Sequence, residues 1–358
     1  MKKLTRLKSV LVAAASLLLG SCADSVEQQQ PTQPLQPSYL AMEVSTGRVL
    51  YASEANQRRP IGMLANLATA AIVLDWVQGQ NISLNQMITA PPAVMENPHT
   101  NLLGLVPGAR ISIRDALYSA LLWDDSSAAT ALAYACGSVL NPNDPLDAFT
   151  TQMNRLARQT LQMKTTYFKG PSGAHVSYST AKDMARLAIY AMDNTTLRTI
   201  CSQRSADVSV HMPDGSVQHR TVLNTNRMLS TGESVDGLKA ARSASAGSCL
   251  IATARRASVK LINPQTGKQA TYAQRLLVVI LGMPSPTQRY QLASRFLRDG
   301  WQEWRNWQVT SDTSEPNKFI KLSTQTTPEP NTPAQHASSQ NAPAPTTAGH
   351  HTSFTPIY

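Results

Sequence analysis

The chain has 358 residues, with 32 Lys and Arg against 22 Asp and Glu, a formal net charge of +10. That length holds one large domain or two ordinary ones. Beyond Cys22 only Cys136, Cys201 and Cys249 remain, which allow at most one internal disulfide. No spaced Cys/His cluster points to a metal, nothing points to a cofactor, and no basic ribbon with interleaved aromatics points to nucleic acid.

The first stretch, "MKKLTRLKSVLVAAASLLLGSC", has a basic start and an apolar run from Val10 to Leu19. This is the pattern of a secretory signal, and the run is short for a membrane span. It ends in Leu19-Gly20-Ser21-Cys22, which resembles the lipobox of bacterial lipoproteins. The resemblance implies that Cys22 becomes the lipid-modified N-terminus of an exported, periplasm-facing protein. Ala23 after the cysteine favours the outer over the inner membrane by the sorting rules of such proteins. Residues 23–37 are Pro- and Gln-rich and read as a flexible tether. Residues 310–358 are a low-complexity Ser/Thr/Pro tail with too few large apolar side chains to repay ordering. The folded body is therefore expected over 38–309, and most of the positive charge lies on it. That charge fits attraction to anionic envelope polymers or lipid headgroups, and equally plain solubility.

Within the body, residues 38–52 alternate around Thr46-Gly47 and predict a hairpin. Residues 62–78 predict a helix ending near Gly79. A Pro-Gly turn at 107–108 and a short strand precede two apolar helices broken at Trp123-Asp124-Asp125-Ser126. Further helices are expected at 147–162 and 178–193, the latter capped by Ser179 or Thr180. Residues 233–256 predict two strands around a small-residue turn. "RLLVVILGM", 275–283, predicts a central buried strand, and 287–300 a closing helix. Strands first and last with helices between suit an α/β sheet layered with helices plus an all-helical lobe.

The segments "TGRVLYASEANQRRP", "VPGARISIRDALYSALL", "ATALA", "YSTAKDMARLA", "VDGLK" and "LLVVILG" resemble, in order and spacing, the D-alanyl-D-alanine carboxypeptidases. These are the low-molecular-mass penicillin-binding proteins that trim peptidoglycan stem peptides. The resemblance spans about 38–305 and implies a β-lactamase/transpeptidase-like fold with a mainly antiparallel sheet. It also implies three motifs. Ser-x-x-Lys at a helix start supplies nucleophile and base, since three residues are nearly one turn. Ser-x-Asn in a loop of the lobe assists proton transfer. Lys-Thr-Gly on an edge strand binds the terminal carboxylate, and its Gly admits the substrate backbone.

On this chain all three are altered. "PIGMLANLATA" puts Met63 at the nucleophile position and Asn66 at the base position. A thioether forms no acyl ester, and an amide is no base near neutral pH. The second motif becomes Asp124-Asp125-Ser126, with a one-residue shift of register also compatible. The third becomes Lys239-Ala240-Ala241, which leaves Lys239 as the candidate carboxylate contact and places a methyl where Gly kept the edge clear.

Change at three separated motifs points to natural loss of the reaction. The expected protein is a lipid-anchored envelope pseudoenzyme that binds peptidoglycan, or regulates an envelope protein complex, without cutting. The alternative is an active serine-type carboxypeptidase with atypical site residues. Several neighbours carry ordinary expectations. His175 reads as a solvated loop histidine, Asp124 and Asp125 as helix caps, Ser243 and Ser245 as turn formers, and Arg58-Arg59 as solvated surface. Cys136 and Cys249 read as small buried hydrophobes.

Overall fold

The computed structural model describes residues 36–232, 234–262 and 269–310. Residues 1–35 and 311–358, which carry the expected signal, Cys22, most of the tether and the tail, lie outside the described residues.

The elements follow the hydrophobic pattern. Strands β1 (Ser38–Glu43) and β2 (Val49–Ser53) form the hairpin around Thr46-Gly47, and the short β3 (Arg59–Pro60) leads to a 3-10 turn, Gly62–Leu64. Helix α1 (Ala65–Gly79) continues from that turn and is buried on nearly every side, as expected of a helix apolar all round. Strands β4 (Met87–Thr89) and β5 (Arg110–Ser112) precede α2 (Ile113–Leu122), α3 (Ser126–Leu140) and α4 (Pro145–Arg155). Then come β6 (Tyr178–Ser179), α5 (Ala181–Asp193), α6 (Thr195–Ser202), β7 (Ser205–His211) and β8 (Val217–Leu223). Strands β9 (Val235–Ser243), β10 (Gly247–Ile262) and β11 (Gln269–Met283) and helix α7 (Pro286–Thr310) close the chain.

Five strands form one antiparallel sheet in the order β2-β1-β11-β10-β9. The 275–283 run is central, as its unbroken apolar character predicts, and Leu276 to Leu281 are buried. Helix α7 covers one face, where Phe296 stacks on Tyr51 at 4.7 Å and tilts against Tyr39 at 5.0 Å. Helix α5 packs on the other face, beneath the lobe of α1 to α4 and α6. A four-stranded sheet, β4-β5-β7-β8, flanks the lobe.

The helix expected over 147–162 instead gives way after Arg155 to a widened π turn, Leu156–Thr160, in which Leu161 N–H reaches back five residues to the Leu156 carbonyl at 3.0 Å. Thr180, not Ser179, caps α5, its hydroxyl accepting Asp183 N–H at 3.0 Å. Cys136, Cys201 and Cys249 are all free and buried. Burial pushes the thiols of Cys136 and Cys201 up to about 12 and that of Cys249 to about 11, so they stay protonated and inert at neutral pH. Arg59 departs from the solvated surface expected of it. It is 3% exposed and donates to the Gln36 carbonyl, because pairing of β3 with β6 turns its stem inward while Arg58 stays in solvent. Among the described residues no helix is long and apolar enough to cross a membrane, and no cluster of His, Cys, Asp or Glu is arranged for a metal.

Candidate active site

Three elements converge where the sheet meets the lobe: the start of α1, the α2–α3 break and the edge strand β9. Met63 sits in the 3-10 turn before α1 and is 6% exposed. Its thioether accepts the hydroxyl of Ser126, the first residue of α3, at 3.5 Å. Asn66, one turn on, is wholly buried, and its Nδ2 donates to the Ala120 carbonyl at 2.8 Å. Its Oδ1 has no partner. The amide nitrogen must face Ala120, since two oxygens would repel.

The α2–α3 break supplies two adjacent carboxylates with different fates. Asp124 adopts a left-handed conformation, φ 63°, which aspartate tolerates better than most residues. This conformation turns its carboxylate to the Lys239 ammonium, with which it pairs. Asp125 turns the other way and caps α3, accepting Ala128 N–H at 2.8 Å, Ser127 Oγ at 2.6 Å and Leu103 N–H at 2.6 Å. Capping is thus the role of Asp125 alone. Burial pushes both carboxyls above their ordinary range, opposed at Asp124 by Lys239 and Arg289 and at Asp125 by its hydrogen-bond donors.

Lys239 is wholly buried on β9, with its ammonium also donating to the Leu121 carbonyl at 2.8 Å. The candidate carboxylate contact Lys239 is thus already paired, and an incoming anion must displace Asp124. Ala240, at the Thr position of that motif, packs its methyl in the core beneath α7 and takes no space at the α1 start. Ala241 is 3% exposed on the lobe side, and its carbonyl accepts Arg289 at 2.8 Å. Arg289, a buried cation of α7 that the sequence pattern did not single out, also donates to the Cys249 carbonyl at 2.8 Å.

The α1 start is closed from two directions. Gly62 has φ 52°, and a Cβ there would lie 3.2 Å from Ser243 Oγ and 3.3 Å from Ala246 Cβ, so the β9–β10 turn rests on it. Ser243 forms that turn as expected, its hydroxyl accepting Ala246 N–H at 3.1 Å. Opposite, Gly173 of the loop after α4 packs on Met63. A Cβ there would come within 2.5 Å of Met63 N and 2.7 Å of its sulfur. His175 on the same loop is exposed, as read from the sequence. Beside Ser126 a small hollow, reached also by Ser127 and His175, holds about 30 Å³. That is room for roughly two water molecules.

An antiparallel sheet with helices on both faces, and a helix start, a lobe turn and a sheet edge meeting in one place, is the fold of the DD-transpeptidases. The crystal structure of the Streptomyces K15 DD-transpeptidase superposes with a TM-score of 0.63 at 26% identity, covering 74% of this chain and 96% of that one. Ampicillin-bound penicillin-binding protein D2 of Listeria monocytogenes shares the fold at TM-score 0.55 and 22% identity, over 74% of this chain and 96% of its own. A family model described as D-alanyl-D-alanine carboxypeptidase, Peptidase S11, matches residues 25–267, and the chain belongs to that family. The D-alanyl-D-alanine carboxypeptidase of Streptomyces sp. strain K15 is 27% identical over 268 residues, 73% of this chain and 91% of its own. The D-alanyl-D-alanine endopeptidase of Pseudomonas aeruginosa is 27% identical over 270 residues, 72% of this chain and 81% of its own.

Proposed function

We propose that this chain is a non-catalytic, lipid-anchored member of its family that binds the peptidoglycan layer, or an envelope complex working on it, without cleaving it. The observation that carries this reading is the filled helix start. Met63 and Asn66 occupy the positions where the family motif has nucleophile and base, and Met63 is pinned between Ser126 and the backbone of Gly173. Acyl transfer needs a group that gains a bond to the carbonyl carbon as it loses a proton to a neighbouring base. Neither exists there. The basic balance of the body supports an anionic partner.

The domain plan that goes with this reading is a signal through Cys22, a tether over 23–37, the penicillin-binding-protein-like body over 38–309 and a low-complexity tail. The localisation is the periplasmic side of a membrane, the outer membrane by the Ala23 rule. An active enzyme with relocated chemistry is the second reading, favoured by Ser126 and Ser127 beside the hollow. Ser126 is bonded only to the Met63 thioether, which is no base, and the Asp125 carboxylate that accepts Ser127 is held by Ala128 N–H and Leu103 N–H as the cap of α3.

Three measurements test the proposal. Incubation with a stem peptide ending in D-Ala-D-Ala releases no D-alanine, while the full-length chain sediments with isolated sacculi, an association that weakens as salt rises. Palmitate labelling in bacteria marks the wild type and not Cys22→Ala. D-alanine release, or an unlabelled wild type soluble in the periplasm, contradicts the corresponding half.

A further inference from the structure

Away from the filled site, one small surface is built unlike the rest. Strand β6 pairs with β3 on one side, Pro60 opposite Tyr178, and bridges Tyr167 on the other. Tyr167 and Tyr178 exchange both backbone hydrogen bonds, at 2.9 and 3.0 Å. Residues directly opposite in an antiparallel pair present their side chains on the same face. Burial alternates to match. Thr165, Tyr167 and Lys169 point outward from one strand and Val176 and Tyr178 from the other, while Thr166, Phe168, Ser177 and Ser179 point in.

The outward rings are substantially bare, Tyr167 at 43% and Tyr178 at 36%, with Val176 at 39% beside them. Cations rim them. Arg58, exposed, lies over the Tyr178 ring at 4.8 Å from its centroid, and Lys169 projects from the strand next to Val176. The chain carries no acidic residue between Asp147 and Asp183, a span that holds Arg155, Arg158, Lys164, Lys169 and Lys182. Asp183 itself is turned inward, bonded to Thr166 Oγ1 at 3.0 Å and to Arg186 at 2.9 Å.

We infer that this platform binds a carboxylate-bearing glycan strand. Two phenol rings held side by side offer flat apolar faces to the C–H faces of sugar rings and hydroxyls to their edges. Arg58 and Lys169 supply charge-assisted donors to acidic substituents along the strand. The inward network of Thr166, Ser179 and Asp183 fixes the backbone beneath, so the rings are presented on a rigid base. A purely protein partner is disfavoured by the small apolar area. The inference rests on the reading that this chain holds the envelope polymer rather than cutting it, and it places the contact on the β6 face rather than at the closed α1 start.

The test uses the full-length chain and two probes, intact sacculi and peptide-free glycan strands whose sugars carry free lactyl carboxylates. Wild type is expected to bind both, and Tyr167→Ala/Tyr178→Ala to bind the strands at least tenfold more weakly. Arg58→Glu/Lys169→Glu changes only exposed side chains and is expected to lose the strands while melting as the wild type does, which keeps the test valid if the tyrosine variant misfolds. Strand and sacculus binding unchanged in both variants overturns the platform and leaves the proposed function standing. Wild type that binds sacculi but not peptide-free strands also overturns the platform, pointing to the peptides or to a protein. Wild type that binds neither probe overturns both.

Discussion

A fluorescent penicillin incubated with the purified chain is expected to leave it unlabelled, and intact mass after long exposure is expected to show no added β-lactam. Acylation joins an oxygen of the protein to the lactam carbonyl carbon as the ring C–N bond breaks, and the hydroxyl proton must leave through a base. At position 63 the atom presented is a thioether sulfur with no proton to give, already accepting Ser126. At position 66 it is a buried amide whose nitrogen faces the Ala120 carbonyl. Loss of a nucleophile alone costs on the order of 10^6 in rate in a serine hydrolase. Met63→Ser by itself is expected to remain unlabelled, because the new hydroxyl meets Asn66 and because Gly173 still lies over the turn. Met63→Ser/Asn66→Lys restores both groups, yet the ammonium of Lys239 stays engaged with Asp124, so labelling stays far below that of a working relative. A stoichiometric adduct on the wild type refutes the pseudoenzyme reading, and one on Met63→Ser refutes the role given to Asn66 and Gly173.

The second large effect concerns stability. Lys239 is wholly buried, so removing its counter-charge leaves an ammonium with only the Leu121 carbonyl for company. Breaking a buried pair from one side costs about 3–5 kcal/mol. Asp124→Asn keeps the shape and suits the left-handed backbone, so its cost reports the charge and not the turn. Lys239→Met strands the opposite charge. Each single variant is expected to lower Tm by roughly 10 °C, taking about 2–4 °C per kcal/mol for a domain of this size. Lys239→Met/Asp124→Asn removes both charges and is expected to recover most of the loss, a coupling read from the double-mutant cycle. Additive losses in the cycle show that the pair is not coupled.

Much of the scaffold was legible because its signals are local. Thr46-Gly47 between alternating strands, the Asp-Asp break between two apolar helices, and the unbroken 275–283 run each carry their structure in a few neighbouring residues. The β7–β8 hairpin was missed, although Asp214-Gly215 inside "HMPDGSVQ" is a recognised turn pair and Ala206, Val208 and Val210 alternate along β7, because β8 is mostly exposed and lacks an apolar alternation to pair with it. Helix α6 was missed for want of length, with eight residues following hard on α5. The site was legible as a set of positions and not as a set of contacts. That Met63, Asn66, Asp124, Ser126 and Lys239 share one region follows from the family order of motifs. That Lys239 is wholly buried, that Ala240 faces away and that Arg59 is buried depends on which face of a strand each occupies and what lies across from it, and spacing carries no such information.

The Lys239–Asp124 pair also joins two halves of the body, since Lys239 belongs to the sheet edge and Asp124 and Leu121 to the lobe. A peptide laid along the sheet edge has to lie between those halves, where the pair now stands. Here parting would pull an ammonium from a carboxylate in a medium of low polarity, with the Gly62 and Gly173 contacts to undo as well. The pair is therefore a rivet across that seam. Backbone amides on either side of it should exchange their hydrogens only when the whole body unfolds, and whatever docks on the outer faces meets a block whose geometry does not change with the occupancy of the cleft.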